Sequence, residues 1–378
     1  MVERLPQEVI IGILSRLPIT SLMLSKLVCR AWRRLIQDTL FASEHFSHMA
    51  DNNPTFILQS LSPDREKLFF TDLSHDSQGN LISKKPPSPV MQLSLIDSCN
   101  GLLCMHDDRT QAIYICNPFT KLSIELPKLV NPPPKMEVDH LEFGFHPITK
   151  EYKLVYRELL GRRDSPSELC SKVHVLTIGN GSWRNVGAIN HRFFWQPSNS
   201  KVIANGRLHW ISRPYNNERY SFASLLVSFD LETEQFQDVP KPDCCNIDYC
   251  FHHHLMILRG CLSLSAYQTR ELGIWVMKEY GVKESWIKEF NIGTYFPRAV
   301  KESIFPRNPI VFPDTSVQVI CSLKSGEILL EYRCRLLVLY DPQQGTFKEL
   351  TILEIPESEW FKTIVHFGSL NWLDTPIY

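Results

Sequence analysis

Over the first 46 positions, apolar residues recur at the spacing of one helical face. The sets are Val9, Ile10, Ile13, Leu14 and Leu17, then Leu22, Leu24, Leu27 and Val28, then Trp32, Leu35 and Ile36. This spacing predicts three short helices. Pro6 suits a first helical turn, where its missing N–H would have had no partner, and Gln7 and Glu8 then stand at the positive end of the helix dipole. The first helix is expected to end by Pro18, and Thr20 or Ser21 to cap the second. The third is expected to run from near Val28 to about Asp38. A unit below about 40 to 60 residues has a marginal core of its own. The rest of the chain is strand-rich and offers no obvious helical mate. The face carrying Leu5, Ile13, Leu14, Leu17, Leu22, Val28 and Trp32 is therefore expected to meet a partner; packing against the rest of the same chain is the alternative.

After His45 the helical pattern fades into a polar stretch ending Asn52-Asn53-Pro54, a sequence that disfavours helix. The expected boundaries are a helical unit over 1–46, a linker over 47–54 and a second domain over 55–378. From Thr55 the apolar residues fall in short runs, rich in β-branched and aromatic types and bounded by Gly, Pro, Asn and Asp, which predicts an all-β domain. One turn grammar repeats, an apolar run, a tight turn and a second run: IDSCNGLLCM from Ile96, FGFHPITKEYKLVY from Phe143, VIANGRLHWI from Val202, LMILRGCLSL from Leu255 and VICSLKSGEILL from Val319. A second strand pair follows each, so five four-stranded units are predicted. A sixth is assembled from two C-terminal strands within TIVHFGSLNWL, from Thr363, and two N-terminal strands near Thr55 and Lys67. Radial repetition of four-stranded sheets with shared terminal strands is the β-propeller solution to exposed sheet edges. The expected fold class is thus a small all-α unit followed by a β-propeller, with six blades favoured, seven as the alternative and a sandwich as the competing architecture. Trp183, Phe236, Trp286 and Phe347 are expected to pack between blades from the outer strands.

Lys and Arg number 40 against 41 Asp and Glu, so no global field favours nucleic acid or an anionic membrane. No run of about 18 apolar residues is present, and the four residues before Leu5 leave no room for a conventional leader; a soluble, intracellular protein is expected, with nucleus and cytoplasm both open. The eleven cysteines are scattered, many inside apolar runs, as suits buried small hydrophobes in a reducing compartment. The most metal-like stretch holds Cys244, Cys245, Cys250, His252, His253 and His254, but without paired C-x-x-C or H-x-x-x-H spacing it is read as a connecting loop running into a strand. No phosphate loop, serine elbow or H-E-x-x-H helix appears, and Glu357 with Glu359 is read as solvated surface. No metal, no cofactor and no catalytic residue are expected.

The order L-P, I-L-S-R-L-P, S-L, V-C-R-x-W-R-x-L-I and F-x-x-x-H over Leu5 to Phe46 resembles an F-box, the helical motif that docks a Skp-type adaptor of cullin-based ubiquitin ligases. The strings SCNGLLC, YICNPFTK, GFHPITKEYKLVY, NGRLHW and LLVLYDPQQGTFKEL look like the plant F-box-associated interaction domain, which is related to kelch propellers. The resemblance implies a non-catalytic substrate receptor whose partners are the adaptor, through it a cullin, and an unknown target protein, with neither nucleic acid nor membrane. It implies that Leu5, Pro6, Ile13, Leu14, Leu17, Pro18, Leu22, Val28, Cys29 and Trp32 bind the adaptor. A non-degradative interaction module is the alternative, followed by a sugar-binding or enzymatic propeller.

Strand order predicts where a target binds. First-to-second and third-to-fourth links are tight turns on one face, while second-to-third and blade-to-blade links leave at the other and include the long, varied stretches. Arg162, Arg163, Phe193, Phe194, Trp195, Tyr215, Arg219 and Tyr220 lie in those stretches and are the candidate target-binding residues. If the N-terminal strands are third and fourth in the closing blade, the chain enters the ring from that same face, and residues 45–54 must carry the helical unit round the rim.

Overall fold

Pro6 and Pro18 each stand one residue ahead of a helix with extended backbone angles, so their fixed φ sets the direction of entry without breaking a helical bond. The helices are α1 (Gln7–Leu14), α2 (Ile19–Ser25), α3 (Arg30–Ile36) and α4 (Thr39–Ala50). Neither Thr20 nor Ser21 caps α2, because that helix already begins at Ile19; Ser25 Oγ instead donates back to the Ser21 carbonyl at 2.9 Å. Cys29 caps α3, its Sγ accepting the Trp32 N–H at 3.4 Å. The helix count and the point where helix gives way both differ from expectation. Asp38 Oδ1 accepts the N–H groups of Leu40 and Phe41 at 2.9 and 3.2 Å, starting a fourth helix that continues past Phe46. Its inward face consists largely of Phe41, Ala42, Ser43 and His45, too few large apolar side chains to announce an amphipathic helix. This helix is the mate that the first three lacked.

The structure is a computed structural model, and it describes residues 5–50, 54–61, 68–75, 81–84, 93–130, 140–160, 170–189, 191–192, 201–214, 225–242, 253–268, 271–293, 295, 297, 317–352, 355 and 360–374. Among them, six sheets form the six blades of a propeller. Blade 1 is β4 (Ser94–Cys99), β5 (Leu102–Asp107), β6 (Ala112–Cys116) and β7 (Ser123–Glu125), and blade 2 is β8 (Leu141–His146), β9 (Glu151–Leu160), β10 (Cys170–Thr177) and β11 (Arg184–Ile189). Blade 3 holds β13 (Lys201–Ala204), β14 (Arg207–Pro214), β15 (Leu225–Asp230) and β16 (Phe236–Val239). The short β12 (His191–Arg192), within a stretch expected to be loop, pairs with the far end of β14. Blade 4 is β17 (His253–Leu258), β18 (Cys261–Gln268), β19 (Glu271–Met277) and β20 (Trp286–Gly293), and blade 5 is β21 (Val317–Ser322), β22 (Ile328–Tyr332), β23 (Leu336–Asp341) and β24 (Thr346–Leu350).

The closing blade runs β25 (Phe361–His366), β1 (Thr55–Ser60), β2 (Leu68–His75) and β3 (Leu81–Lys84). One C-terminal strand and three N-terminal strands close the ring, in place of the expected two and two. The residues after His366 do not return as a strand, because Ser369 and Asn371 direct their hydrogen bonds to blade 1. Thr55 pairs with His366, so the chain enters at the end of the ring that carries the tight turns, and no path round the rim is needed.

Each interface between neighbouring blades has its own buried cluster, so a blade buries its apolar faces only against its neighbours. Trp183, Phe236, Trp286 and Phe347 pack into four of these clusters, as expected. Both indoles also tie blades together: Trp183 Nε1 donates to the Pro127 carbonyl at 2.7 Å and Trp286 Nε1 to the Pro240 carbonyl at 2.8 Å. The turns between first and second strands of blades 1, 3 and 4 each hold two consecutive residues at positive φ: Asn100-Gly101, Asn205-Gly206 and Arg259-Gly260. At Gly206 a side chain is excluded twice over, since an added Cβ would also lie 2.3 Å from the His146 ring.

Ring closure is fastened by a buried acid. Glu331 of β22 accepts the Thr363 N–H of β25 at 2.8 Å, and burial pushes its carboxyl up to about 7 from an ordinary 4.5. The folded state therefore binds the proton more tightly than the unfolded chain does. The stability this gives is fully present below about 4.5 and is lost as pH rises through about 7. Glu331→Gln keeps an acceptor for Thr363 and removes the titration. Denaturant unfolding should show the variant gaining on the native chain between about pH 5 and pH 8, by up to about 3 kcal/mol; a constant difference across that range would show that burial does not raise this carboxyl.

Candidate interaction surfaces

The helical unit builds its outer face from what its core leaves over. Leu14 and Leu22 are fully buried, packed with Ile19, Ile36, Phe41 and Ala42, and Leu17 and Trp32 are partly buried against the same cluster. His45, itself buried, ties α4 to the turn after α1, its Nε2 lying 2.9 Å from the Leu17 carbonyl. Desolvation holds this imidazole below its ordinary pKa, so it stays neutral there. Of the ten residues assigned to an adaptor face, Leu14 and Leu22 thus support that face from within and are not available on its surface. Packing within the same chain, the alternative considered for them, holds because α4 supplies the missing helical mate.

Leu5, Pro6, Ile13, Pro18, Val28 and Cys29 remain exposed. Beside them stand residues that sequence reasoning left out: Val9 on α1, Leu24 on α2, and Leu27 in the turn before α3. Leu24, Leu27 and Val28 are 67%, 73% and 59% exposed, a cluster of large aliphatic side chains given to solvent in one short segment. The signal was present in the sequence, since Leu22, Leu24 and Leu27 cannot all fit one narrow helical stripe. Arg30, Arg33 and Arg34 continue the exposed surface along α3.

The helical unit sits on the tight-turn end of the propeller. Phe119, in the turn between β6 and β7, and Leu370, beyond β25, both pack into the helical core. Beneath them His366 is buried, stacked on Phe119 at 6.1 Å between ring centroids and edge-on to Phe70 at 5.7 Å. Its Nδ1 is hydrogen-bonded to Ser98 Oγ at 2.8 Å, and burial pushes the imidazole down to about 3, keeping it uncharged.

The opposite end of the propeller follows from strand direction. Residues 131–139, 161–169 and 215–224, like the links around 193–200 and 298–316, all join strand ends that point away from the helical unit. Arg162, Arg163, Phe193, Phe194, Trp195, Tyr215, Arg219 and Tyr220 lie outside the described residues. Some second-to-third links there are short, as the two residues between β18 and β19 are, so the long connections concentrate on blades 2 and 3 and on the crossings between blades. A central cavity of about 990 Å³ runs along the inner strands, lined in part by Asp97, Ser98, Gln318, Cys321 and Lys362.

Cys244, Cys245, Cys250 and His252 also lie outside the described residues, while His253 and His254 are buried on β17. Among the described residues no group of three or more His, Cys, Asp or Glu is placed to hold a metal ion, and no helix is long and apolar enough to cross a membrane. Burial raises the Cys99 and Cys334 thiols and pushes Cys116 and Cys321 up to about 12, the opposite of an activated nucleophile.

Comparison with known proteins agrees with this architecture. The family described as F-box associated beta propeller domain matches residues 54–371, and the F-box-like family matches residues 2–46. The Arabidopsis thaliana F-box protein At3g07870 is 38% identical over 403 aligned positions, covering 99% of this chain and 93% of that protein. The F-box protein CPR1 of the same plant is 26% identical, covering 94% of this chain and 86% of its own. A chain of the nidogen/laminin complex superposes with a TM-score of 0.43 at 8% identity over 84% of this chain and 99% of that one, too low a likeness to carry an argument. A helical unit seated on a six-bladed propeller is the class these features define. The chain belongs to the F-box proteins with an F-box associated β-propeller domain.

The thiols give a direct check on this arrangement. Brief alkylation of the native protein followed by peptide mapping should modify Cys29, which is exposed, and spare Cys104, Cys116 and Cys321 until denaturant is added. Fast modification of any of those three would contradict the packing of the blades.

Proposed function

We propose that this chain is the substrate-recognition subunit of a Skp/cullin/F-box ubiquitin ligase. Its F-box docks the Skp-type adaptor, and through it a cullin, while its propeller captures a target protein. The observation that carries the reading is the separation of two surfaces. A solvent-exposed aliphatic cluster around Leu24, Leu27 and Val28 lies on the helical unit, and the long connections leave the far end of the ring. A two-ended body of this kind suits a bridge between a ligase and its client. The chemistry is proximity: the receptor raises the concentration of target lysines around a ubiquitin carrier and supplies no acid, base or nucleophile itself. The expected setting is nucleus or cytoplasm, where cullin ligases act.

Buried apolar anchors dominate such interfaces, so adaptor capture should be the most sensitive readout. Leu5→Ala with Pro6→Ala, and separately Leu27→Asp with Val28→Asp, should each abolish pull-down of a purified Skp-type adaptor. The far-ultraviolet circular dichroism of the β-domain should stay unchanged, since all four side chains are solvent-facing. Undiminished adaptor binding by both variants would overturn the reading. Charge reversal at Arg162 and Arg163, and separately at Arg219, should reduce the proteins recovered from proteasome-inhibited cells while adaptor pull-down is retained. Loss of those proteins only on altering the tight-turn end would show that the target face is assigned to the wrong end.

A further inference from the structure

The seven residues after β25 do work that neither strand pairing nor ring closure requires. Gly368 lies so close to α2 that an added Cβ would be 2.7 Å from Ile19 Cγ2 and 3.0 Å from the Phe119 ring. Its φ lies outside the left-handed region, so the demand for glycine here comes from closeness alone. Two residues on, Leu370 is 7% exposed and belongs to the buried cluster of Leu14, Ile19, Leu22, Ile36, Phe41 and Ala42. The core of the helical unit is therefore completed by a residue more than 320 positions away in the chain, from the far side of ring closure.

Either side of Leu370 the segment is fastened to blade 1. Asn117 Nδ2 donates to the carbonyls of Ser369 and Asn371 at 3.0 and 2.8 Å, while its Oδ1 accepts the N–H groups of Phe119 and Thr120 at 2.8 and 3.0 Å. From the other direction, Ser369 Oγ and Asn371 Nδ2 both donate to the Asn100 carbonyl at 3.1 Å. The adjoining Gly101 has φ +80°, and an added Cβ would fall within the Ser369 side chain, so the turn of blade 1 is shaped around this segment. Trp372 and Leu373 then pack against the cluster between blades 1 and 2. One strap thus grips blade 1 at several points and inserts a single leucine into the helices.

We propose that residues Phe367–Leu373 are a positioning strap, with Asn117 and Phe119 as its anchors. The strap completes the F-box core and locks the F-box onto blade 1, so the orientation of adaptor face to target face is set by the C-terminal segment and not by the length of the chain between α4 and β1. Two discrete bodies on a short tether would sample a range of separations, and a strapped pair holds one. For a receptor that works by proximity a fixed separation selects which target lysines come within reach. That consequence rests on the function proposed above; the mechanical coupling does not.

Hydrogen exchange read by mass spectrometry on the full chain tests the coupling. In Gly368→Ala, and independently in Leu370→Ala, the amides of α2 should exchange about tenfold faster or more, while those of β8 to β10 keep native rates, because local opening follows loss of local packing. Gly368→Ala should have a smaller effect in an Ile19→Ala background, since the clashing methyl is gone and contacting positions couple. Native protection of α2 in both single variants, or strictly additive effects of Gly368→Ala and Ile19→Ala, would overturn the strap. Should Leu370→Ala unfold the whole chain, Asn117→Ala supplies the test with the leucine of the helical core kept in place, with faster α2 exchange expected and an unchanged rate refuting the proposal. Pull-down of a purified Skp-type adaptor by the unaltered chain is read separately: its failure would refute the receptor reading and leave the exchange result standing.

Discussion

Pairing of residues 361–366 with residues 55–60 decides more of this molecule than any other contact. A ring of blades has no stable part-structure at its seam, because each blade buries its faces only against its neighbours. Contributing one strand from the C-terminus and three from the N-terminus closes the seam, and it also brings the start of β1 and the end of β25 out at the same end of the ring. The helical unit and the C-terminal segment meet there as a result. With two strands from each terminus the chain would have entered at the opposite end, and the F-box would have competed for space with the long connections.

The same closure explains where polar groups are buried. Glu331 accepts a backbone N–H of β25 from blade 5, and His366, the last residue of β25, is buried and held neutral beside Phe70 and Phe119. Elsewhere a buried ion pair, Arg157 with Glu142, joins β9 to β8, and Trp210 from blade 3 donates to the same carboxylate. Buried charges of this kind add little net stability but are costly to leave unpartnered, so they penalise any other register of the blades. Apolar clusters supply the energy of assembly, and these polar ties restrict how the blades assemble.

Much of this was legible in the chain. Five of the six blades could be drawn strand by strand because tight turns sit between short apolar runs, and in blades 1, 3 and 4 the turn is an Asn-Gly or Arg-Gly pair with positive φ at both positions, a conformation that few residue pairs fit. The outer-strand aromatics were also legible, since a large ring on a thin edge strand has only the neighbouring blade to pack against. Two features were not. The fourth helix has Ser43 and His45 on its inward face, which hides its periodicity. The segment GSLNW after Phe367 reads as a strand interrupted by a turn, but its polar side chains reach residues more than 250 positions away, and no local pattern encodes such a contact. Leu14 and Leu22 were legible as apolar anchors, but which side of the helix they serve depended on the helix that was missed. The candidate target residues were drawn from loop length and residue type, and lie outside the described residues.

In the function proposed above, the two ends of this molecule have separate tasks, one for a ligase adaptor and one for a client. An exchange footprint of purified Skp-type adaptor on the full-length chain tests this division most directly. Slowed exchange is expected in the exposed segments of α1, α2 and the turn before α3, and none at the strand ends on the far side of the propeller. Slowed exchange at those far ends, or an unchanged helical unit at saturating adaptor, would contradict it.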